Sequence, residues 1–108
     1  MTQTALGTWI EDVVVGTGAE VQPGSQVTVE FTGWFPDGRE FDSGVFSFVA
    51  GVGQVIVGFD DAVMNMRVGG VRKAVLPPQL AYGSRGTPDG TIPPNATLVF
   101  EIEVTDVQ

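Results

Sequence analysis

Thr97-Leu98-Val99-Phe100-Glu101-Ile102-Glu103-Val104-Thr105-Asp106-Val107 is the stretch on which the fold class turns. Leu98, Phe100, Ile102 and Val104 fall on one side of an extended chain. Thr97, Glu101, Glu103 and Thr105 fall mainly on the other. Side chains of a strand alternate with period two, so this segment reads as a strand with one face on a core and one in water. Val27 to Phe35 repeats the pattern, with Val27, Val29, Phe31 and Gly33 opposed to Thr28, Glu30 and Thr32. Asp37-Gly38 follows as a hairpin turn, which makes Arg39 to Asp42 the returning strand. Thr8 to Val15, Phe46 to Ala50 and Val71 to Leu76 read as further strands.

One helix interrupts the strands. Phe59, Ala62, Val63 and Met66 stand at i, i+3, i+4 and i+7, a single helical face. Asp60 and Asp61 lie in its first turn, where the helix dipole favours negative charge, and Gly69-Gly70 is expected to stop it. So short a helix, about two turns, needs a sheet to hold it. The expected class is α+β, an antiparallel sheet with one helix on its apolar face. The 108 residues make one ordinary domain, 1–108.

Composition narrows the chemistry. The net charge is −8 with only five basic residues, which argues against nucleic acid and against an anionic membrane surface. Neither cysteine nor histidine occurs, which excludes disulfides, thiol nucleophiles, Ser-His-Asp triads and ordinary zinc sites. No metal and no cofactor is expected. Asp12, Glu20 and Glu30 read as solvated strand or turn positions, and no acidic pair suggests acid–base catalysis. Met1-Thr2-Gln3-Thr4-Ala5 has no basic region followed by an apolar run, so the expected location is cytoplasmic.

Pro77 to Ala96 is the anomaly. This segment of 20 residues holds five of the seven prolines and sits between two clear strands. Loops of that length in a compact domain are usually functional. Phe31, Phe41, Phe46, Phe48, Phe59, Tyr82 and Phe100 are many large rings for a small domain. Each alone is ordinary core. Together with the long loop and the short helix they suggest a lined groove.

Five ordered blocks then resemble one family. Thr32-Gly33-Trp34 to Asp37-Gly38 with Phe41-Asp42-Ser43, Val55-Ile56-Val57-Gly58-Phe59, Gly69-Gly70-Val71-Arg72-Lys73, Ala81-Tyr82-Gly83, and Ile92-Pro93-Pro94-Asn95-Ala96 through Phe100 are similar to the signature segments of FKBP-type peptidyl-prolyl isomerases. The resemblance runs from about Thr8 to Val107. It implies a curved antiparallel sheet wrapped around a short helix, with an apolar pocket between them. It implies Phe59 as the pocket floor, Phe31, Phe41, Phe46, Val55 and Phe100 as lining, and Ile92 closing the rim. It also implies the Ile56 backbone N–H and the Tyr82 hydroxyl as donors to substrate, with Asp42 on the polar side. The family usually has Tyr at the position of Phe31 and often Trp at that of Phe59, and the segment between Asp42 and Phe46 is shorter here. The expected partners are proline-containing polypeptides and rapamycin-type macrolides, bound by a monomer. A non-catalytic chaperone or scaffold that holds proline peptides in the same pocket is the alternative.

Overall fold

The computed structural model describes all 108 residues. The strands are β1 (Thr2–Gln3), β2 (Trp9–Val14), β3 (Gln26–Trp34), β4 (Glu40–Val49), β5 (Val71–Leu76) and β6 (Leu98–Val107), with one helix, α1 (Val57–Val63), between β4 and β5. They form one antiparallel sheet in the order β1-β2-β5-β6-β3-β4. The alternation in β6 holds from Leu98 to Thr105, and that in β3 holds except at Phe31, which is half-buried beside the cavity. Val27, Val29, Leu98, Phe100, Ile102 and Val104 are all buried. They make the core with Ala74 and Leu76 of β5 and with Phe59, Ala62 and Val63 of α1.

The helix lies close on the sheet because Gly58 has no side chain. A Cβ there would run into Leu76 of β5 and reach within 3.0 Å of the Leu80 carbonyl. Asp60 and Asp61 point apart. Asp60 accepts the N–H groups of Gly51 and Gly53, at 2.6 and 3.2 Å, and so fastens the loop before the helix. Asp61 accepts the Thr4 hydroxyl at 2.6 Å and ties down the N-terminal hairpin.

Three expectations need correction. The helix ends at Val63, not near Met66, and Gly69-Gly70 does not stop it. Met64 is already extended, with ψ 136, and Asn65 is left-handed, with φ 66. The chain is drawn off the helix axis because residues 65–68 pair with residues 18–21. The bonds include Asn65 N–H to the Val21 carbonyl and Val21 N–H to the Met66 carbonyl. Met66 is still buried, but it reaches the core from this extended segment.

The second correction concerns β4, which is one continuous strand of 10 residues rather than two pieces separated at Ser43-Gly44-Val45. Its ladder to β3 carries straight through that segment, Thr32↔Ser43, Phe31↔Gly44 and Glu30↔Val45. The third concerns Asp12, which is not merely solvated. Arg72 donates its Nε to Asp12 at 2.7 Å and Nη1 to the carbonyls of Ala62 and Met64, both at 2.9 Å. This guanidinium satisfies carbonyls at the end of α1 that have no partner within the helix.

The long segment after β5 opens with a single 3₁₀ turn at Pro78–Leu80 and has no other regular element. Backbone bonds hold it in place, Gly83 N–H to the Pro78 carbonyl and Asn95 N–H to the Gly83 carbonyl, both at 2.8 Å. Tyr82 therefore sits on a braced turn rather than on a free loop.

Candidate active site

An apolar cavity of about 710 Å³ opens between β4, the start of α1 and the long loop. Nine of its 13 lining residues are apolar, and Asp42 is the one charged side chain among them. The lining draws on separate elements: Phe31 from β3, Phe41 and Phe46 from β4, Val55 and Ile56 from the turn before α1, Phe59 from α1, Phe100 from β6 and Tyr82 from the loop.

Phe59 is the hub of the aromatic wall and is only 3% exposed. Its ring centre lies 5.2 Å from Phe100, 5.6 Å from Phe46, 5.8 Å from Phe48 and 6.0 Å from Phe31. Most of these contacts are edge to face, the arrangement that ring quadrupoles favour. Phe41 extends the wall, with an edge-to-face contact to Phe100 at 5.6 Å. Gly33 makes room for that pair. A Cβ on Gly33 would stand 2.5 Å from Phe41 Cζ and 2.9 Å from Phe100 Cε1.

Two donors at the wall have no partner in the chain. The Ile56 N–H makes no hydrogen bond, because Ile56 precedes the helix, where only its carbonyl is used. The Tyr82 hydroxyl makes none either, and Tyr82 is 40% exposed. Asp42 is exposed, and the only hydrogen bond to its carboxylate comes from the Ser43 N–H, at 2.9 Å. No cation reaches it. Arg39 is turned to Asp37, with Nε 2.8 Å from Oδ2, and its guanidinium lies 4.9 Å over Phe35. Arg39 holds the Asp37 carboxyl below its ordinary value of 3.8, chiefly through its backbone N–H and then through its side chain.

Nine of the ten candidate residues therefore share one cavity. Ile92 does not line it. Ile92 is buried at 3% exposure and faces an adjoining hollow of about 330 Å³, shared with Phe41, Asp42 and Tyr82. Reading the sequence missed Gln54, which also lines the cavity and accepts the Val49 N–H on its Oε1 at 2.9 Å. It missed Gly33 as the space for two rings, a role visible only once both strands are placed.

Comparison with known proteins accords with this geometry. Residues 18–105 match the family described as FKBP-type peptidyl-prolyl cis-trans isomerase. The FK506-binding protein of Neisseria meningitidis serogroup A is 44% identical over 103 residues, covering 91% of this chain and 94% of that one. The crystal structure of a peptidyl-prolyl cis-trans isomerase from Pseudomonas syringae pv. tomato superposes with a TM-score of 0.89 at 34% identity, covering 99% of this chain and 80% of that one. FkpA from Escherichia coli gives the same TM-score at 37% identity, covering 99% of this chain and 51% of that one. The fold is that of a rotamase, an enzyme that turns peptide bonds without breaking them. The chain belongs to the FKBP-type peptidyl-prolyl cis-trans isomerase family, and its activity is isomerisation of the bond preceding proline.

Proposed function

We propose that the substrate proline sits on Phe59, inside the ring formed by Phe31, Phe46 and Phe100, with Val55 and Ile56 along one wall. The Ile56 N–H donates to a substrate carbonyl and the Tyr82 hydroxyl donates to the neighbouring backbone. The observation that carries this reading is the pair of unpartnered donors on an otherwise apolar wall. A half-buried backbone donor such as the Ile56 N–H normally finds a partner, which a bound peptide would supply, and the exposed Tyr82 hydroxyl stands free to bond the same peptide.

The chemistry follows from amide resonance. Rotation about a peptide bond meets a barrier of about 18–20 kcal/mol. At X-Pro both isomers are populated, yet they exchange only over tens to hundreds of seconds. The twisted transition state has a less polarised carbonyl than the planar amide and loses less when water is removed. An apolar cavity therefore favours it over the ground state. The two donors orient the flanking backbone, which adds to that preference. No proton moves and no covalent bond forms, so a chain without His or Cys is equipped for the reaction.

The same cavity suits rapamycin- or FK506-type macrolides, a reading supported by relatives named FK506-binding proteins. A monomeric, cytoplasmic enzyme that assists folding of proline-containing chains completes the proposal. Sedimentation and cell fractionation test those two attributes.

A protease-free isomerisation assay on a Leu-Pro peptide tests the residue roles. Tyr82→Phe removes one hydrogen bond and should lower kcat/KM by roughly two- to ten-fold. An unchanged kcat/KM in that variant would remove Tyr82 from the site.

A further inference from the structure

β4 is the last strand of the sheet, with β3 on one side and no strand on the other. Its ladder to β3 is unbroken from Gln26↔Val49 to Gly33↔Asp42, so the open edge is long and continuous. Along an antiparallel edge strand the backbone groups alternate, one residue bonding inward and the next pointing away. Two bonds fix which residues point away. The Ser43 N–H goes to Asp42 Oδ1 and the Val49 N–H to Gln54 Oε1, each at 2.9 Å. Odd-numbered residues of β4 therefore face away from β3. Val45 and Ser47 share that parity, and their outward backbone groups have no partner.

Exposed edges invite pairing, and proteins usually blunt them with charge, bulges or covering loops. Here a side chain caps each end, and the middle is left open. That middle adjoins the apolar cavity, because Gly44, Val45 and Phe46 are part of its lining.

We propose that this edge receives the polypeptide segment flanking the substrate proline. The segment adds as a further strand against Val45 and Ser47 while the proline occupies the cavity. This rests on the cavity being the isomerase pocket. Continuity of edge and cavity favours the substrate as occupant. A second copy is disfavoured, since each copy carries a net charge of −8. Main-chain pairing also suits the task. It supplies affinity through backbone groups that every client possesses and leaves side-chain choice to the pocket.

The test compares a Leu-Pro tetrapeptide with two longer peptides that extend it on one side or the other by about six residues, an ordinary strand length. The wild-type chain should show a KM on the order of ten-fold lower for one of the longer peptides. Ser47→Pro removes one outward N–H on an edge that tolerates proline. It should lose most of that advantage while leaving tetrapeptide turnover unchanged. Ser47→Ala, which loses only the hydroxyl bonded to Thr28, should keep it. N-methyl groups placed along the flank of the better peptide should raise KM at every second residue, a readout that needs no protein variant. Tetrapeptide turnover with equal KM for all peptides, or N-methyl effects without the two-residue alternation, would overturn the edge. A dimer in sedimentation that Ser47→Pro dissolves would assign the edge to a second copy and overturn it too. Failure to turn over the tetrapeptide at all would instead reject the pocket, and the edge with it.

Discussion

Phe59 meets Phe100 edge to face, with 5.2 Å between ring centres and 89° between ring planes. The contact joins α1 to β6, so one ring both closes the core and floors the cavity. Truncation should damage both. Phe59→Ala is expected to cost about 3–5 kcal/mol in chemical denaturation and to abolish most isomerisation. Phe59→Leu, which keeps most of the volume, should stay folded and separate the two effects. A folded, fully active Phe59→Ala would place the pocket elsewhere.

Gly33→Ala tests the space behind the rings. The new methyl would press on Phe41 and Phe100, both of which line the cavity. Overpacking of this kind costs about 1–3 kcal/mol. The rings must shift into the cavity, so KM for a Leu-Pro peptide should rise while the circular dichroism spectrum is retained. Unchanged kinetics would show that the rings yield outward.

Arg72 is buried and bridges three elements, so its removal should be among the most damaging changes outside the pocket. Arg72→Ala leaves the Ala62 and Met64 carbonyls without their donor and Asp12 without its cation. Leaving a buried carbonyl without its partner typically costs about 1–3 kcal/mol. Asp12→Asn should cost less, because Asp12 is 42% exposed and water can replace it. Equilibrium unfolding of the two variants measures the difference.

The uneven legibility of this fold has physical causes. β3 and β6 could be read because period-two alternation is a local property, and burial follows it at every inward position but Phe31, which lines the cavity. The aromatic site could be read because six of the rings singled out, Phe31, Phe41, Phe46, Phe59, Tyr82 and Phe100, converge on one cavity once the sheet is formed. The Arg72–Asp12 bridge could not, since its partners are 60 residues apart and neither carries a local signal. The end of α1 could not be placed by apolar periodicity alone, because tertiary pairing of residues 65–68 with 18–21 overrides it. Ser43-Gly44-Val45 carries no period-two signal of its own, yet the strand there is held by backbone pairing to β3.

Asp42 faces water at the mouth of the cavity, with its neighbour's N–H as its only partner. Asp42→Asn should therefore change stability by less than about 0.5 kcal/mol, as ordinary surface changes do. Arg39 is engaged by Asp37 and Arg85 forms no ion pair. Double-mutant cycles of Asp42 with either arginine should give coupling near zero. A coupling above about 1 kcal/mol in denaturant unfolding would reveal a partner that the geometry does not provide.

Activity and stability should respond to pH in different ranges. No side chain in the protein belongs to a type that ordinarily titrates between pH 6 and 8, so kcat/KM should be flat there. A bell-shaped profile would mean proton transfer in the mechanism. Stability should respond at acid pH instead. Asp89 accepts the Thr91 N–H at 3.0 Å and the Thr87 hydroxyl at 2.7 Å, in the loop that faces Tyr82 across the hollow. The Thr91 backbone bond, followed by the Thr87 side chain, holds its carboxyl below the ordinary 3.8. Asp37 is lowered in the same way by Arg39. A carboxylate whose folded pKa lies below its unfolded value stabilises the fold at pH above the unfolded value. That stability is lost as pH falls through the folded one. Thermal unfolding should therefore show a melting temperature that declines as the pH drops below about 4. Asp89→Asn removes one of the two groups and should shallow that decline without altering kcat/KM near neutrality. An equally steep decline in Asp89→Asn would mean that the Thr87-Asp89-Thr91 turn is no tighter in the folded chain than in the unfolded one.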